Sequence, residues 1–272
     1  MNIAISNLAW NGHEEPQIAK VITEHQVTGV EIAPTKLWPD LRAADEESIR
    51  AYRQWWEDRG IGVVALQSLL FGRPDLNLFA DAATRLEMLG YLSHAIRIAA
   101  LLGARVLVFG SPKNRQAGSL DRTVATDVAV DFFSSLGAIA HTHGVCVGLE
   151  PNPEAYGCDF VHTSQEALDL VKRVASPGIG VHLDTAILSM TNERFEDAVD
   201  ECFEHLVHVH VSEPMLGAVG DGPINHQEMA RALRASGYEN WVSIEMRSGD
   251  TDNAKPVNRA LDFVKKTYAV AA

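Results

Sequence analysis

The sequence has 272 residues, of which 46% are apolar, so it is long enough to bury one large core. Asp and Glu (36) outnumber Lys and Arg (23), and the resulting formal charge of −13 disfavours a nucleic-acid partner. The three cysteines are scattered and odd in number, which disfavours a disulfide framework and a thiolate metal cluster.

Short apolar runs rich in β-branched residues alternate along the chain with longer segments of helical period. The first run, residues 2–6, is not preceded by basic residues and therefore indicates a strand rather than a signal peptide. The most apolar window, residues 96–109, is interrupted by Gly103 and Arg105 and is too short to span a membrane. We therefore expect a soluble, cytoplasmic protein without a membrane partner.

Eight of the apolar runs are predicted to be strands. They comprise residues 2–6, 29–33, 62–67, 105–109, 145–150, 180–184, 206–211 and 241–245. The segments between them, such as residues 86–99 and 124–139, repeat apolar side chains every three or four positions, as one buried helical face does. Near-continuous apolar strands favour a parallel sheet buried on both faces, and eight strand–helix units favour its closure. The sequence therefore predicts an α/β fold, a single-domain (β/α)₈ TIM barrel over residues 1–272.

The last four predicted strands each end in a residue type that binds metals, namely Glu150, Asp184, His210 and Glu245. The carboxyl ends of barrel strands lie at one rim, where barrel enzymes place their active sites. Three carboxylates at one rim would repel each other unless a divalent cation bound between them. Oxygen and imidazole ligands favour Mn²⁺, Mg²⁺ or Co²⁺, with Zn²⁺ as a further candidate. The alternative is that these residues are solvated or cap the following helices.

Four motifs in the second half of the chain carry a resemblance to a known family. They are GLEPNP (148–153), GVHLDT (180–185), HVHVSE (208–213) and GYENWVSIEMR (237–247). In this order they resemble the xylose isomerase-like TIM barrel superfamily, in particular its sugar phosphate isomerase/epimerase family, over nearly the whole chain. The resemblance implies that Glu150, Asp184, His210 and Glu245 bind the metal. It also implies that Glu150 and Glu245 act as catalytic acid and base, and that the protein forms a homodimer or homotetramer.

The chain departs from the ketose 3-epimerases of this superfamily at three positions. Ile187 and Leu216 stand where those enzymes carry a histidine and an arginine, and Tyr156 stands where they carry a glutamate. The predicted metal ligands are therefore retained, whereas the residues that would make polar contacts to a free ketose are not. The reaction within the superfamily stays open.

Further side chains near the predicted rim are candidates for substrate binding. His182 lies two residues before Asp184, so strand alternation directs it into the barrel, and Glu213 follows the ligand of strand seven. Gln67 ends strand three, and Trp38 follows strand two, where an aromatic ring can pack on a sugar. The alternatives are a hydrogen-bonded core histidine, a solvated acid and a tryptophan that seals loop packing.

Three basic residues lie on the predicted catalytic rim of this acidic protein. Lys113 and Arg115 belong to the loop after strand four, and Arg247 follows Glu245 by two residues. Such residues bind a phosphate or carboxylate group of a substrate through charge and forked hydrogen bonds. The alternative is that they belong to exposed loops and bind nothing.

These features together predict a divalent-metal-dependent isomerase or epimerase of a small carbohydrate, either a sugar, a sugar phosphate or a related polyol derivative. A metal-stabilised enediolate, with the two glutamates as acid and base, would carry the reaction. A lyase, such as an inosose or dehydroshikimate dehydratase, is the main alternative, because the same enolate can expel a β-hydroxyl as water. An AP-endonuclease-type phosphodiesterase would need further histidines, but strand three ends in Gln67 and position 187 is isoleucine. A non-catalytic sugar-binding protein is the remaining alternative.

Overall fold

Eight parallel strands close into a barrel in the computed structural model, which describes residues 1–250 and 252–269. The strands are β1 (Asn2–Ser6), β2 (Gly29–Ile32), β3 (Gly62–Leu66), β4 (Val106–Phe109), β5 (Cys146–Leu149), β6 (Ile179–Asp184), β7 (Leu206–Ser212) and β8 (Trp241–Glu245). Each strand pairs with its sequence neighbours, and β8 pairs with β1 to close the ring. The predicted barrel is confirmed, and every predicted strand end lies within one residue of these bounds. The predicted domain boundary at residue 272 lies outside the described residues.

Nine α-helices surround the barrel in the described part of the chain. They are α1 (Glu15–Glu24), α2 (Glu46–Glu57), α3 (Ala82–Leu102), α4 (Arg122–Thr142), α5 (Ser164–Val174), α6 (Thr185–Met190), α7 (Phe195–Cys202), α8 (His226–Ala235) and α9 (Ala254–Tyr268). The carboxylate of Asp81 accepts the amide of Thr84 at the start of α3 and so caps that helix. The same helix ends at Gly103, whose φ of 85° is a left-handed conformation that glycine adopts without steric cost. Such local signals fix the helix ends.

Helix α4 is long and apolar enough to cross a membrane by length and composition alone. In the structure it packs between α3 and α5 and buries Phe132, Phe133 and Leu136. The apolar window at residues 96–109 forms the end of α3 and the whole of β4. Both segments are therefore parts of the barrel, whose helices each turn an apolar face toward the core.

The register of the last strands determines where along the barrel axis the candidate functional side chains lie. Asp184 is paired with His210 between β6 and β7, and Ser212 is paired with Glu245 between β7 and β8. Both pairs lie at the carboxyl ends of their strands. The strand alternation that places His210 inside the barrel also places Ser212 there, since they are two residues apart.

Candidate metal centre

Four side chains converge at the carboxyl ends of β5 to β8. The Nδ1 atom of His210 lies 3.4 Å from Glu245 Oε2 and 3.5 Å from Glu150 Oε1. It lies 3.9 Å from Asp184 Oδ2. Asp184 and His210 are buried, and the side chains of Glu150 and Glu245 are only 12% and 14% exposed. The structure thus brings the four predicted ligand residues around one point.

Neighbouring side chains hold the carboxylates of this cluster in place. Asp184 accepts the hydroxyl proton of Ser212 at 2.6 Å through Oδ2, and through Oδ1 it accepts the amide of Ile187 at 2.8 Å. Glu150 Oε2 accepts the Nδ2–H of Asn152 at 3.1 Å. These contacts restrict the carboxylate rotamers, as is usual around a metal site.

A further carboxylate, Glu31, lies below the cluster, and reasoning from strand ends misses it. It is fully buried in β2, and both of its oxygens lie 3.1 Å from His210 Nε2. His208 Nε2 approaches the same carboxylate at 3.6 Å. Because Glu31 accepts the proton on Nε2, the Nδ1 atom of His210 is left to face the three carboxylates above. The available signal in the sequence is one charged residue within the apolar strand GVEI.

Charge is unevenly distributed within the cluster. Burial, followed by the charges of Glu150 and Glu245, raises the pKa of Asp184 to about 7. Burial also raises the pKa of Glu245. Burial disfavours the charged form of His210 as well, but the carboxylates of Glu31 and Glu245 outweigh it and raise the pKa of this imidazole well above its ordinary range. The site therefore stabilises positive charge among its carboxylates.

Glu150 differs from the other two rim carboxylates because it contacts two imidazoles. Its Oε1 lies 3.3 Å from Nε2 of His182, a histidine that is fully buried. Burial acts to raise the pKa of Glu150, but the contacts with His182 and His210 outweigh burial and hold this pKa well below its ordinary value. Burial, and then the charge of His210, lowers the pKa of His182 to about 3. Glu150 is therefore ionised and His182 neutral at neutral pH.

The donor set fits a divalent cation. Nδ1 of His210 is buried and has no hydrogen-bond partner among the described residues. Donor atoms of Asp184, His210 and Glu245 lie within 4.8 Å of one another, and so do those of Glu150, His182 and His210. One ion at this point would offset the repulsion between the carboxylates and use the lone pair of the nitrogen. The described residues thus include groups that could hold a metal ion, and the ligand roles of Glu150, Asp184, His210 and Glu245 stay predictions.

A pocket of about 340 Å³ opens beside the cluster. Small-molecule pockets span about 300–1,000 Å³, so this one suits a small ligand. The three rim carboxylates line it together with Asn152, Ser212 and Glu213. Much of the remaining lining is apolar and contains Ala186, Ile187, Met215, Leu216 and the ring of Tyr156.

Two of the predicted substrate-binding residues, Glu213 and Arg247, line this pocket. Glu213 is buried, and its Oε1 lies 3.0 Å from Nε2 of His226. Arg247 is exposed, and its Nη2 donates to the carbonyl oxygen of Met215 at 3.0 Å. His182, in contrast, contacts Glu150 from within the barrel rather than lining the pocket.

Gln67 and Trp38 are absent from the lining of the pocket. Gln67 is buried inside the barrel, where its Nε2 donates to the hydroxyl of Ser6. The indole Nε1 of Trp38 donates to Ser48 Oγ at 3.2 Å, and its ring packs edge-on against Tyr52 at 6.0 Å between centroids. In the described structure these two side chains therefore contribute to packing.

The loop after β4 places its two basic side chains differently. Lys113 is exposed, and it is not part of the pocket lining. Arg115 is fully buried, and its Nη2 donates to the carbonyl oxygen of Glu150 at 2.7 Å. The guanidinium group therefore supports the backbone that carries Glu150 and is withdrawn from solvent. The role in anion binding expected for this pair stays a prediction, and no contact of Arg115 with the pocket supports it.

A family model described as a xylose isomerase-like TIM barrel matches residues 19–267. The chain therefore belongs to the xylose isomerase-like TIM barrel family, as the four motifs predict.

Several sequence relatives of the chain are named as sugar epimerases. The chain is 28% identical over 126 residues to a ketose 3-epimerase from Arthrobacter globiformis, covering 46% of this chain and 43% of the relative. It is 25% identical over 197 residues to an L-ribulose 3-epimerase from Mesorhizobium japonicum, covering 71% of this chain and 64% of the relative. Each match thus spans less than two thirds of the relative's length.

The likeness to solved structures covers more of the chain than these sequence matches do. A crystal structure of D-psicose 3-epimerase in the presence of D-fructose superposes with a TM-score of 0.82, covering 99% of this chain and 100% of that chain. Sequence identity is 18%, so this likeness demonstrates the shared barrel and not a shared substrate.

Proposed function

We propose that this chain is a divalent-metal-dependent epimerase or isomerase that moves a proton at the carbon beside the carbonyl group of a sugar or related polyol derivative. The observation that carries the proposal is the placement of Glu150 and Glu245. Both line one pocket and both approach Nδ1 of His210, although Glu150 follows β5 and Glu245 ends β8. A substrate carbon between them can be reached by one carboxylate from each side. The ketose 3-epimerases among the sequence relatives support the same class of reaction.

Glu150, Asp184, His210 and Glu245 would hold the cation. When bound, it would supply Lewis acidity that stabilises negative charge on the oxygens of the substrate. The oxygen-rich donor set favours Mn²⁺, Mg²⁺ or Co²⁺, and Zn²⁺ is also compatible with it. Glu31 would keep the imidazole of His210 in the tautomer whose Nδ1 is free to bind.

The two glutamates are suited to opposite halves of a proton transfer. Contacts with His182 and His210 outweigh burial and lower the pKa of Glu150, so this carboxylate is in the ionised form that a base requires. Burial raises the pKa of Glu245, which therefore retains a proton more readily. Carboxyl groups whose pKa values are displaced in opposite directions suit the roles of base and acid. Proton removal by one glutamate gives an enediolate, and proton return by the other inverts the carbon.

The proposal predicts incorporation of deuterium when the metal-loaded protein acts in D₂O. Ketoses, inososes and sugar phosphates form the test panel, and NMR locates deuterium at the carbon beside the carbonyl. Glu150→Gln and Glu245→Gln should each lower turnover by roughly 10²–10⁴-fold, the usual contribution of a positioned acid or base. Glu239→Gln, at an exposed position, is the matched control and should retain activity.

Metal content has to be measured for both variants, because each glutamate is also a proposed ligand. Full activity after exhaustive chelation would contradict metal dependence. Conversion without any deuterium in product or recovered substrate would contradict the two-glutamate mechanism, leaving a shielded single base or a hydride shift. A product that has lost one water molecule would identify the lyase reaction instead.

A further inference from the structure

One wall of the pocket is formed by two short segments of chain that lie beside the metal cluster. We call it the apolar wall and define it as Ala186 and Ile187 at the start of α6 and Met215 and Leu216 after β7. Met215 is 64% exposed although it is large and apolar. An exposed apolar side chain within a concave site commonly marks a surface that a ligand covers.

The amide groups of the α6 segment are already donated within the protein. The amide of Ala186 donates to Ser212 Oγ at 3.2 Å, and that of Ile187 donates to Asp184 Oδ1 at 2.8 Å. Neither amide is therefore available to a substrate hydroxyl. The side chains of Ala186 and Ile187 offer only C–H groups to the pocket.

The segment after β7 is engaged in the same way. The amide of Met215 donates to the hydroxyl of Tyr156 at 3.0 Å, and that of Leu216 donates to the carbonyl of Glu213 at 3.1 Å. The carbonyl oxygens of Met215 and Leu216 accept from Arg247, through Nη2 and through the backbone amide, each at 3.0 Å. Hydrogen bonds to two neighbouring loops thus hold this part of the wall in place.

The backbone of this segment adopts a conformation that side chains disfavour. Met215 and Leu216 have φ values of 60° and 58°, in the left-handed region. Residues other than glycine occupy this region in succession only when surrounding contacts impose it, and such strain clusters at ligand sites. The contacts with Tyr156 and Arg247 impose it here and present two large apolar side chains where a turn would ordinarily contain glycine or asparagine.

From this arrangement we propose that the pocket selects a carbohydrate whose end distant from the carbonyl group is apolar, through a terminal methyl group or an O-linked alkyl or aryl substituent. A hydroxyl turned toward the apolar wall would lose its hydration without gaining a partner, whereas a C–H surface would gain contact. The oxygens near the carbonyl would lie toward the metal cluster. This assignment rests on the proposed function, because it names the substrate class of the same site.

Binding of matched polyols to the Mn²⁺-loaded protein tests the apolar wall without requiring turnover. Glucitol, mannitol and galactitol are each compared with their 6-deoxy and 6-O-benzyl derivatives by calorimetry. We expect the better of the two derivatives to bind roughly 10- to 100-fold more tightly than its parent, the range over which an apolar pocket discriminates against a hydroxyl. Parents that bind as tightly as both derivatives, or a series in which nothing binds, would overturn the proposal.

Leu216→Asn introduces a polar group of similar size, and asparagine tolerates the left-handed backbone at this position. This variant should reduce the preference for the apolar derivatives by at least about fivefold, since a hydroxyl then gains a partner. Leu86→Asn on the exposed face of α3 is the matched control and should leave the preference unchanged. An unchanged preference in Leu216→Asn would refute the role of the wall.

The two proposals can fail separately. Selective binding of the apolar derivatives, without deuterium incorporation into any carbonyl compound, would refute the proposed function and leave the wall supported. Deuterium incorporation at equal kcat/KM for a ketohexose and its 6-deoxy form would support the proposed function and refute the role of the apolar wall.

Discussion

Glu31 contacts the ring of His210 through Nε2, the nitrogen that does not face the carboxylates at the ends of β5, β6 and β8. Burial acts to raise the pKa of Glu31, but the contacts with His210 and His208 outweigh it and lower this pKa well below the ordinary range. Buried charge is retained only where partners compensate for lost hydration. We therefore infer that this buried carboxylate is retained because it orients the imidazole of His210.

Glu31→Gln should weaken metal binding by roughly 10- to 100-fold, the usual effect of losing a partner that orients a metal-bound histidine. Glutamine has no negative charge, and its amide can donate to Nε2, which favours the tautomer with a proton on Nδ1. Calorimetric titration with Mn²⁺ provides the measurement, and Glu47→Gln on the exposed start of α2 is the control. Unchanged affinity would show that Glu31 does not set the tautomer.

At the residue scale, sequence reasoning finds the residues that end strands and also His182 within β6, but it misses Glu31 within β2. Glu150 and Glu245 are predictable because a polar residue at the end of an apolar run is visible in the pattern. The contact between Glu31 and His210 joins residues that are 179 positions apart. This contact can be predicted only if it is known how β2 and β7 face each other across the barrel interior, and strand periodicity alone does not provide that information.

At the scale of the elements, the burial of loop side chains is less predictable from the sequence than the ends of strands and helices. Apolar runs and glycine positions determine strand ends closely, because a buried parallel strand is apolar along its length. The loop after β4 has no such period, so its sequence does not reveal that Arg115 turns inward while Lys113 remains exposed. Tertiary contacts, here with the carbonyl of Glu150, decide which side chain is buried.

Arg115→Ala should lower the free energy of unfolding by about 2–4 kcal/mol, because it removes a charged hydrogen bond and leaves a cavity. Lys113→Ala, two residues away and exposed, should change it by less than about 0.5 kcal/mol. Urea denaturation of both variants gives the comparison. Weaker substrate binding in Arg115→Ala with unchanged stability would instead support the anion-binding role predicted from the sequence.

At the scale of the whole molecule, one carboxylate joins the beginning of the barrel to its end. Glu14 precedes α1 and accepts the backbone amide of Asn253 at 2.9 Å and its side-chain amide at 2.6 Å. It also accepts the amide of Asn11 at 2.9 Å. Burial acts to raise the pKa of Glu14, but these hydrogen bonds from Asn253 and Asn11 outweigh it and lower the pKa to about 2.

Glu14→Gln should therefore reduce stability in a pH-dependent manner. The folded pKa of about 2 lies below the ordinary value of 4.5, so the contribution of Glu14 is present above pH 4.5 and is lost as the pH falls toward 2. At neutral pH the variant should lose about 1–2 kcal/mol, allowing for partial exposure of the group. Urea denaturation from about pH 7 down to about pH 3.5 follows the change. A difference that stays constant with pH, or one equal to that of Glu24→Gln at an exposed site, would contradict this role.

The seam between β1 and β8 joins distant parts of the chain, since Asn2 is paired with Trp241. Glu245 belongs to β8, which pairs with β7 as well as with β1, so its place beside His210 does not depend on this seam. A partly folded sheet that lacked the seam could still place Glu150, Asp184, His210 and Glu245 at the ends of adjacent strands, but it would not bring Glu31 of β2 to His210. The orientation that Glu31 gives to His210 therefore depends on ring closure, and a cation that bound this oriented imidazole would favour the closed barrel over an open form by mass action.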